Sequence, residues 1–168
     1  LLMCGLSVLF ANKVGLFNIG AAGQYVVGAG ACIYFAVALK MPWYVCLLAA
    51  IVVAALVGGL SGVLKAYFNV NEVISCIMLN WIGLYCVNML LTKVKEPSTP
   101  YTEKLVSANP NALIPNMGLD KIFSNNEFVT IGILFSVLMA ILVWIFMEKT
   151  KFGFELKATG MNKNAAKY

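Results

Sequence analysis

Residues 41–64, MPWYVCLLAAIVVAALVGGLSGVL, decide the fold class because 24 consecutive residues carry no charged side chain. A helix needs about 20 mostly apolar residues to cross the hydrocarbon core of a bilayer. Three further uncharged stretches, 14–39, 73–92 and 128–147, satisfy the same requirement. Helices are the expected spans, because backbone groups in lipid must be satisfied within the segment and these runs lack the alternation of barrel strands. The sequence therefore predicts an all-α, polytopic transmembrane helical bundle.

The composition agrees with this class of protein. Hydrophobic residues make up 61% of the chain, charged residues only 11%, and the mean hydropathy is +0.87. Soluble domains carry about 25% charged residues, so a soluble fold would lack the charges to cover its surface. The uncharged residues 1–10 are too short to span alone, and we expect them to end a further span. We accordingly expect the chain to be a fragment of a longer protein.

Lysine placement predicts the topology, since cytoplasmic loops are enriched in basic residues. Placing the tail 148–168 in the cytoplasm puts seven of the twelve lysines inside and five outside. The loop 93–127 is then extracellular, and residues 1–147 form the membrane region. The net charge of +5 comes entirely from lysine and reflects this topology, so we do not expect nucleic-acid binding.

The sequence offers no catalytic or metal-binding chemistry. It has no histidine, and its five cysteines lie in apolar spans without a CxxC pair. A nucleophile elbow and a GxxxxGK phosphate loop are also missing. We expect no enzyme activity and no cofactor in this chain, so any ATP that drives it must bind a partner.

Polar residues interrupt two of the predicted spans. In span 14–39, Asn18 and Gln24 lie among several glycines. This pattern fits either close helix packing or a break that lines a solute path, and both readings stay open. In span 73–92, Asn80 and Asn88 are eight residues apart and fall close to one helix face. Their amides must face protein, water or solute.

The start of the same span has its own capping signal. Asn71 is suited to cap the helix, and Glu72 then lies at its positive end. We therefore favour a role for Glu72 at the helix start.

Three stretches together resemble a known family. Residues 15–24, GLFNIGAAGQ, resemble the GLFNIGAEGQ signature of bacterial ABC-type permeases for nucleosides and simple sugars. Residues 69–81, NVNEVISCIMLNW, and the tail 150–168, TKFGFELKATGMNKNAAKY, resemble two further stretches of the same family in the same order. The resemblance covers nearly the whole chain, within a group that also includes ribose and branched-chain amino acid permeases.

The resemblance implies a set of partners and a coupling segment. It implies a cytoplasmic ABC ATPase that binds ATP, a second permease subunit as homo- or heterodimer, an extracellular solute-binding lipoprotein, and a place in the bacterial plasma membrane among its lipids. The tail 148–168 would dock on the ATPase. Gly153 and Gly160 would permit turns, and Asn162 would cap a short helix. The implied coupling residues are Gly153, Glu155, Gly160, Asn162, Ala165 and Ala166.

This chain departs from the family pattern at several positions. Lys157 and Lys167 stand where arginines are usual, Lys163 replaces a proline, and Asn164 replaces a glutamate. Ala22 stands where glutamate is common, so no acidic site is expected in span 14–39. Composition alone favours a solvated basic tail held near anionic lipid head groups, and the ordered match to the family favours docking on the ATPase instead.

The expected function is import of nucleosides, guanosine-like, or related simple sugars by an ATP-driven ABC importer. The predicted solute-path residues are Asn18, Gln24, Asn80 and Asn88. Two alternatives remain: an ATP-independent carrier or channel for neutral polar solutes, and a structural membrane protein without a solute path. Uptake without an ATPase would indicate the first, and thiol labelling that fails at these four positions would indicate the second.

Overall fold

The structure, a computed structural model, describes residues 1–94, 104–115 and 130–161. Every regular element in these ranges is helical, which confirms the predicted all-α class. The α-helices are α1 (Leu2–Lys13), α2 (Ala21–Val37), α3 (Trp43–Phe68), α4 (Glu72–Leu91), α5 (Leu105–Ala108), α6 (Gly132–Lys149) and α7 (Lys151–Met161). They belong to two compact units, one of Leu1–Ile19 with Pro115–Tyr168 and the other of Gly20–Ile114.

Within the residues that the structure describes, three helical stretches are long and apolar enough to cross a membrane. They are Trp43–Phe68, Glu72–Val94, which continues α4 through a 3₁₀ turn, and Gly132–Lys149. Each overlaps an uncharged stretch of the sequence, as the requirement for an apolar span predicts. The side of the membrane that each end faces stays a prediction.

The stretch 14–39 does not form one continuous helix. The helix covers only Ala21–Val37, about 25 Å at 1.5 Å per residue, which is shorter than the hydrocarbon core of about 30 Å. Gly15 has a φ of +75°, a left-handed conformation that glycine adopts without cost. Asn18 Nδ2 then donates to Ser7 Oγ at 3.0 Å and fastens the connection 14–20 to α1. Residues 14–20 therefore form a non-helical connection, and the helix of this stretch begins only at Ala21.

Glycines on α2 also allow close helix packing, which was the second interpretation of the glycine pattern in stretch 14–39. A Cβ added to Gly30 would lie 2.5 Å from a methyl group of Val87 on α4. One added to Gly28 would lie 3.3 Å from the carbonyl oxygen of Ala50 on α3. Helices without side chains at their crossing points can approach closely and gain dispersion contacts along their length. The second unit is thus built around α2, which packs against both α3 and α4.

The α3–α4 junction follows the sequence prediction. Asn69 ends α3 in the left-handed region with a φ of +51°. Asn71 then caps α4 by accepting a hydrogen bond from the Val73 backbone N–H at 2.9 Å, as predicted. Glu72 lies in the first turn and forms an ion pair with Lys65, with 2.6 Å between Oε2 and Nζ. The ion pair adds a link between α3 and α4 that the sequence did not indicate.

The segment 104–115 is attached to the far end of α2. Asn109 is only 5% exposed, and its Nδ2 donates to the carbonyl oxygens of Ala36 at 3.1 Å and Met41 at 2.9 Å. Ala112 packs beside Ala36 and Cys46 in a small apolar cluster. This part of the predicted loop 93–127 therefore folds onto the α2–α3 turn.

We predict that Gly30→Ala destabilises the full-length protein by about 1–3 kcal/mol, because the added methyl group overpacks against Val87. Gly62→Ala on α3 is the matched control, since nothing lies within 4 Å of the added Cβ. Alanine there is expected to be neutral or stabilising by up to about 1 kcal/mol through its higher helix propensity. Thermal unfolding in detergent measures both, and equal melting temperatures for the two variants would contradict the packing.

We predict that Asn109→Ala destabilises the protein by about 1–3 kcal/mol, because two carbonyl groups lose their shared donor in a buried place. The exposed neighbour Asn111 provides the control, and Asn111→Ala should change stability by no more than about 0.5 kcal/mol. Limited proteolysis should cleave the Asn109→Ala variant faster within 104–115. Unchanged cleavage would show that the amide does not anchor the segment.

Candidate functional site

A side chain of α4 caps the start of α2. The first N–H groups of a helix lack partners within it, and α2 has no capping side chain from its own N-terminal residue, Gly20. Asn80 Oδ1 instead accepts a hydrogen bond from the backbone N–H of Gly23 at 2.9 Å. The absence of a Cβ on Gly23 makes this possible, because one would lie 2.8 Å from Asn80 Cα.

Asn80 lies well along α4, so the hydrogen bond to Gly23 places the start of α2 beside the body of α4 and away from its first residue. Asn80 is eight residues beyond Glu72, which places it about 12 Å along α4 from the first residue. On the predicted topology, the first residue of α4 is near the cytoplasmic surface. The first turn of α2 then lies inside the hydrocarbon region, where discontinuous helices of transporters expose polar backbone groups to a cavity.

Gln24 lies next to Asn80 in the same unit. A Cβ added to Gly58 would lie 3.0 Å from Gln24 Nε2. The Gln24 side chain therefore packs against α3 at Gly58. Both amides line a crevice narrower than a water molecule, together with Gly20, Val57, Ser61, Cys76 and Leu79. The structure therefore brings two of the four predicted solute-path residues into one place.

An open groove borders the same first turn of α2. It has a volume of about 310 Å³, and its lining residues are Ala22, Gly23, Val26, Asn80, Trp81 and Leu84. This volume is at the lower end of the range for small-molecule sites. Trp81 was not among the predicted site residues, although its place directly after Asn80 could have indicated it. Its ring stacks on Tyr85 with 6.2 Å between centroids.

The other two predicted path residues have different surroundings. Asn18 belongs to the first unit and bonds to Ser7. Asn88 is exposed on α4, about 12 Å along the helix from Asn80, and does not line the groove or the crevice. A role in a solute path stays a prediction for both residues.

The predicted turns at Gly153 and Gly160 are wrong. Both residues lie inside α7, which runs unbroken from Lys151 to Met161 and also contains Glu155. Glycine permits a turn without requiring one, and here the missing side chains serve close packing instead. Asn162, Ala165 and Ala166 lie outside the described residues, so the predicted helix there and its capping stay predictions.

Thr150 alone joins α6 to α7. Its backbone is extended, with a ψ of 150°, and its Oγ1 accepts from the Gly153 N–H at 3.0 Å while donating to the Phe146 carbonyl at 2.5 Å. A Cβ on Gly153 would lie 2.7 Å from the Met147 carbonyl oxygen, so α7 folds back tightly on the end of α6. An exposed ion pair between Glu148 and Lys157 spans the same corner.

The part of the chain that the structure describes holds no cluster of three or more metal-binding side chains. The side chains around the start of α2 that can form hydrogen bonds are the amides of Gln24 and Asn80, the hydroxyl of Ser61 and the thiol of Cys76. Such groups bind uncharged polar molecules through hydrogen bonds.

Comparison with known proteins gives the family. The sequence model of one protein family, described as branched-chain amino acid transport system / permease component, matches residues 1–168. The chain is 36% identical to the guanosine ABC transporter permease protein NupP of Bacillus subtilis (strain 168), over 99% of this chain and 48% of that protein. It is 32% identical to the nucleoside ABC transporter permease protein NupB of Lactococcus lactis subsp. cremoris (strain MG1363), over 100% of this chain and 48% of NupB.

A third relative, the glucose ABC transporter permease protein TsgB13 of Haloferax volcanii, is 33% identical over 99% of this chain and 46% of its own length. The chain thus spans about half the length of the curated relatives it matches. No solved structure matches. Because the family model covers every residue, the chain belongs to the branched-chain amino acid transport system permease family and is an integral protein of the plasma membrane.

Proposed function

We propose that the whole protein is the permease subunit of an ATP-driven ABC importer for nucleosides, guanosine-like, or related simple sugars. The observation that carries this proposal is the match over the full chain to permeases named for guanosine, nucleosides and glucose. Its partners would be a cytoplasmic ABC ATPase that binds ATP, a second permease subunit and an extracellular solute-binding lipoprotein.

The chemistry around the start of α2 supports a neutral solute. Gln24 and Asn80 offer amides without charge, next to a groove with an exposed tryptophan. A purine nucleoside or a sugar is uncharged and rich in hydroxyl groups, and an aromatic ring can pack against its flat or apolar face. Weak hydrogen bonds of this kind suit a path that must release its solute.

The cytoplasmic end supports coupling to a separate motor. The helix α7 continues directly from α6 through Thr150, so a force on the tail acts on a membrane-crossing helix. Movement of the ATPases on binding ATP would then rock the permeases between outward-open and inward-open states. Glu155 and residues 162–168 are the proposed contact with the ATPase.

We predict that proteoliposomes with the full-length protein, its ATPase, second permease and binding protein take up labelled guanosine only with internal ATP. Ribose and a branched-chain amino acid are tested in parallel. Uptake of ribose alone would move the proposal to sugars. Uptake without ATP would contradict it and favour a carrier or channel, and liposomes without the ATPase are the control.

We predict that Gln24→Ala and Asn80→Ala each lower uptake about 2- to 10-fold, the effect of losing one hydrogen bond to a neutral solute. Ser61→Ala is the matched control, because Ser61 lines the same crevice but its hydroxyl donates to Gly58 in its own helix at 2.7 Å. It should leave uptake unchanged within about twofold.

A further variant separates the solute path from helix capping. Asn80→Asp keeps an oxygen that can accept from Gly23 and favours a helix N-terminus. It should retain the melting temperature that Asn80→Ala loses, while still lowering uptake of a neutral solute. Normal uptake by the Gln24 and Asn80 alanine variants at normal expression would contradict the assigned path.

A further inference from the structure

Two glycines of the first unit meet backbone to backbone. A Cβ added to Gly160, near the end of α7, would lie 2.6 Å from the carbonyl carbon of Val14 and 2.8 Å from the Gly15 nitrogen. One added to Gly15 would lie 2.7 Å from the Gly160 carbonyl oxygen. Cβ atoms essentially never approach other heavy atoms more closely than 3.0 Å. Because the neighbours are backbone atoms, they cannot rotate away as a side chain would.

The contact joins two segments that are far apart in sequence. Gly15 begins the connection that runs directly into Gly20 and α2. Gly160 is followed within two residues by the stretch 162–168, to which we have assigned contact with the ATPase. The other end of α7 is fixed to α6 through Thr150 and Gly153. The helix α7 is therefore held at its first turn by one membrane-crossing helix and at its last turn by the connection that leads to α2.

We propose that α7 transmits movement of the cytoplasmic tail to the start of α2 through the contact between Gly160 and Gly15. This inference rests on the proposed function, since it assigns the route by which ATP hydrolysis on a partner reaches the solute path. A backbone contact without intervening side chains has no rotamer freedom to absorb a displacement. A shift of α7 toward Gly15 therefore displaces the connection 14–20 instead of being absorbed by side chains. Gly15 and Gly160 are positioning residues in this scheme and do not touch the solute.

The first test compares coupling in glycine variants of the full-length assembled transporter. Gly160→Ala and Gly15→Ala are assayed as assembled complexes, with the co-purified ATPase and the rate of ATP hydrolysis measured on the same sample as transport. Guanosine moved per ATP hydrolysed should fall about 2- to 30-fold, the usual range for residues that carry coupling between sites. Gly5→Ala on α1 is the control, because nothing lies within 4 Å of its added Cβ. Wild-type coupling in both variants would overturn the inference.

The second test does not depend on the glycine variants folding. Val14→Cys and Met161→Cys place thiols beside the contact, in protein whose native cysteines are replaced by alanine. A short bis-maleimide reagent should link the pair in the resting, ATP-bound and ADP-bound states, and the linked protein should keep its uptake. Failure to link, linking in one nucleotide state only, or arrested uptake in the linked protein would each overturn the inference.

The two proposals fail in different ways. Absence of ATP-dependent uptake by the wild-type protein would contradict the proposed function. Cross-linking yields are read from gels without transport, so they test the Gly15–Gly160 contact in the same preparation. Single-cysteine variants treated with the same reagent show whether modification alone affects uptake.

Discussion

The second unit depends on satisfying the ends of α2, a helix with no capping side chain of its own. At its start, the N–H of Gly23 donates to Asn80 on α4. At its far end, the carbonyl of Ala36 accepts from Asn109, which follows α5. An unpaired backbone group away from water is costly. Two asparagines from distant parts of the chain therefore allow α2 to be short and still lie in an apolar environment.

This constraint explains why glycine and asparagine recur in an otherwise apolar chain. Asn80 reaches the Gly23 N–H only because Gly23 has no side chain at the point of contact. Gly30 allows the same approach farther along α4, against Val87. Close packing and the late start of α2 are therefore two parts of one arrangement, in which α2 begins beside a polar side chain and then packs on apolar ones. The proposed solute path lies where these two parts meet.

The sequence predicted those features that are local. Uncharged runs predicted the long helices, because the requirement for apolar residues acts on each segment separately. Asn71 was identified as a cap because its partner, Val73, is two residues away. Gln24 and Asn80 were identified as polar residues in predicted spans, although nothing in the pattern showed that they are neighbours.

The features that the sequence did not predict are of two kinds. Some are contacts between residues far apart in the sequence, and others involve residues that are compatible with more than one local structure. Asn80 and Gly23 are 57 residues apart, and Asn109 and Ala36 are 73 residues apart, so no local pattern connects them. Gly153 and Gly160 were expected in turns, whereas both lie within α7. A glycine is compatible with a turn and with a crowded helix position, and only the neighbouring backbone decides between them. Thr150 resembles an ordinary loop residue until α6 and α7 are seen to meet there.

The single-residue junction at Thr150 also restricts how the length of this region can change. Gly160 is ten positions beyond Thr150, and the whole interval after Thr150 is helical. Inserting or deleting one residue between them would rotate Gly160 by about 100° around the helix axis and shift it by about 1.5 Å. A residue with a side chain would then face Gly15. Substitutions can accumulate on the exposed face of α7, but insertions and deletions in this interval are incompatible with the packing of its last turn.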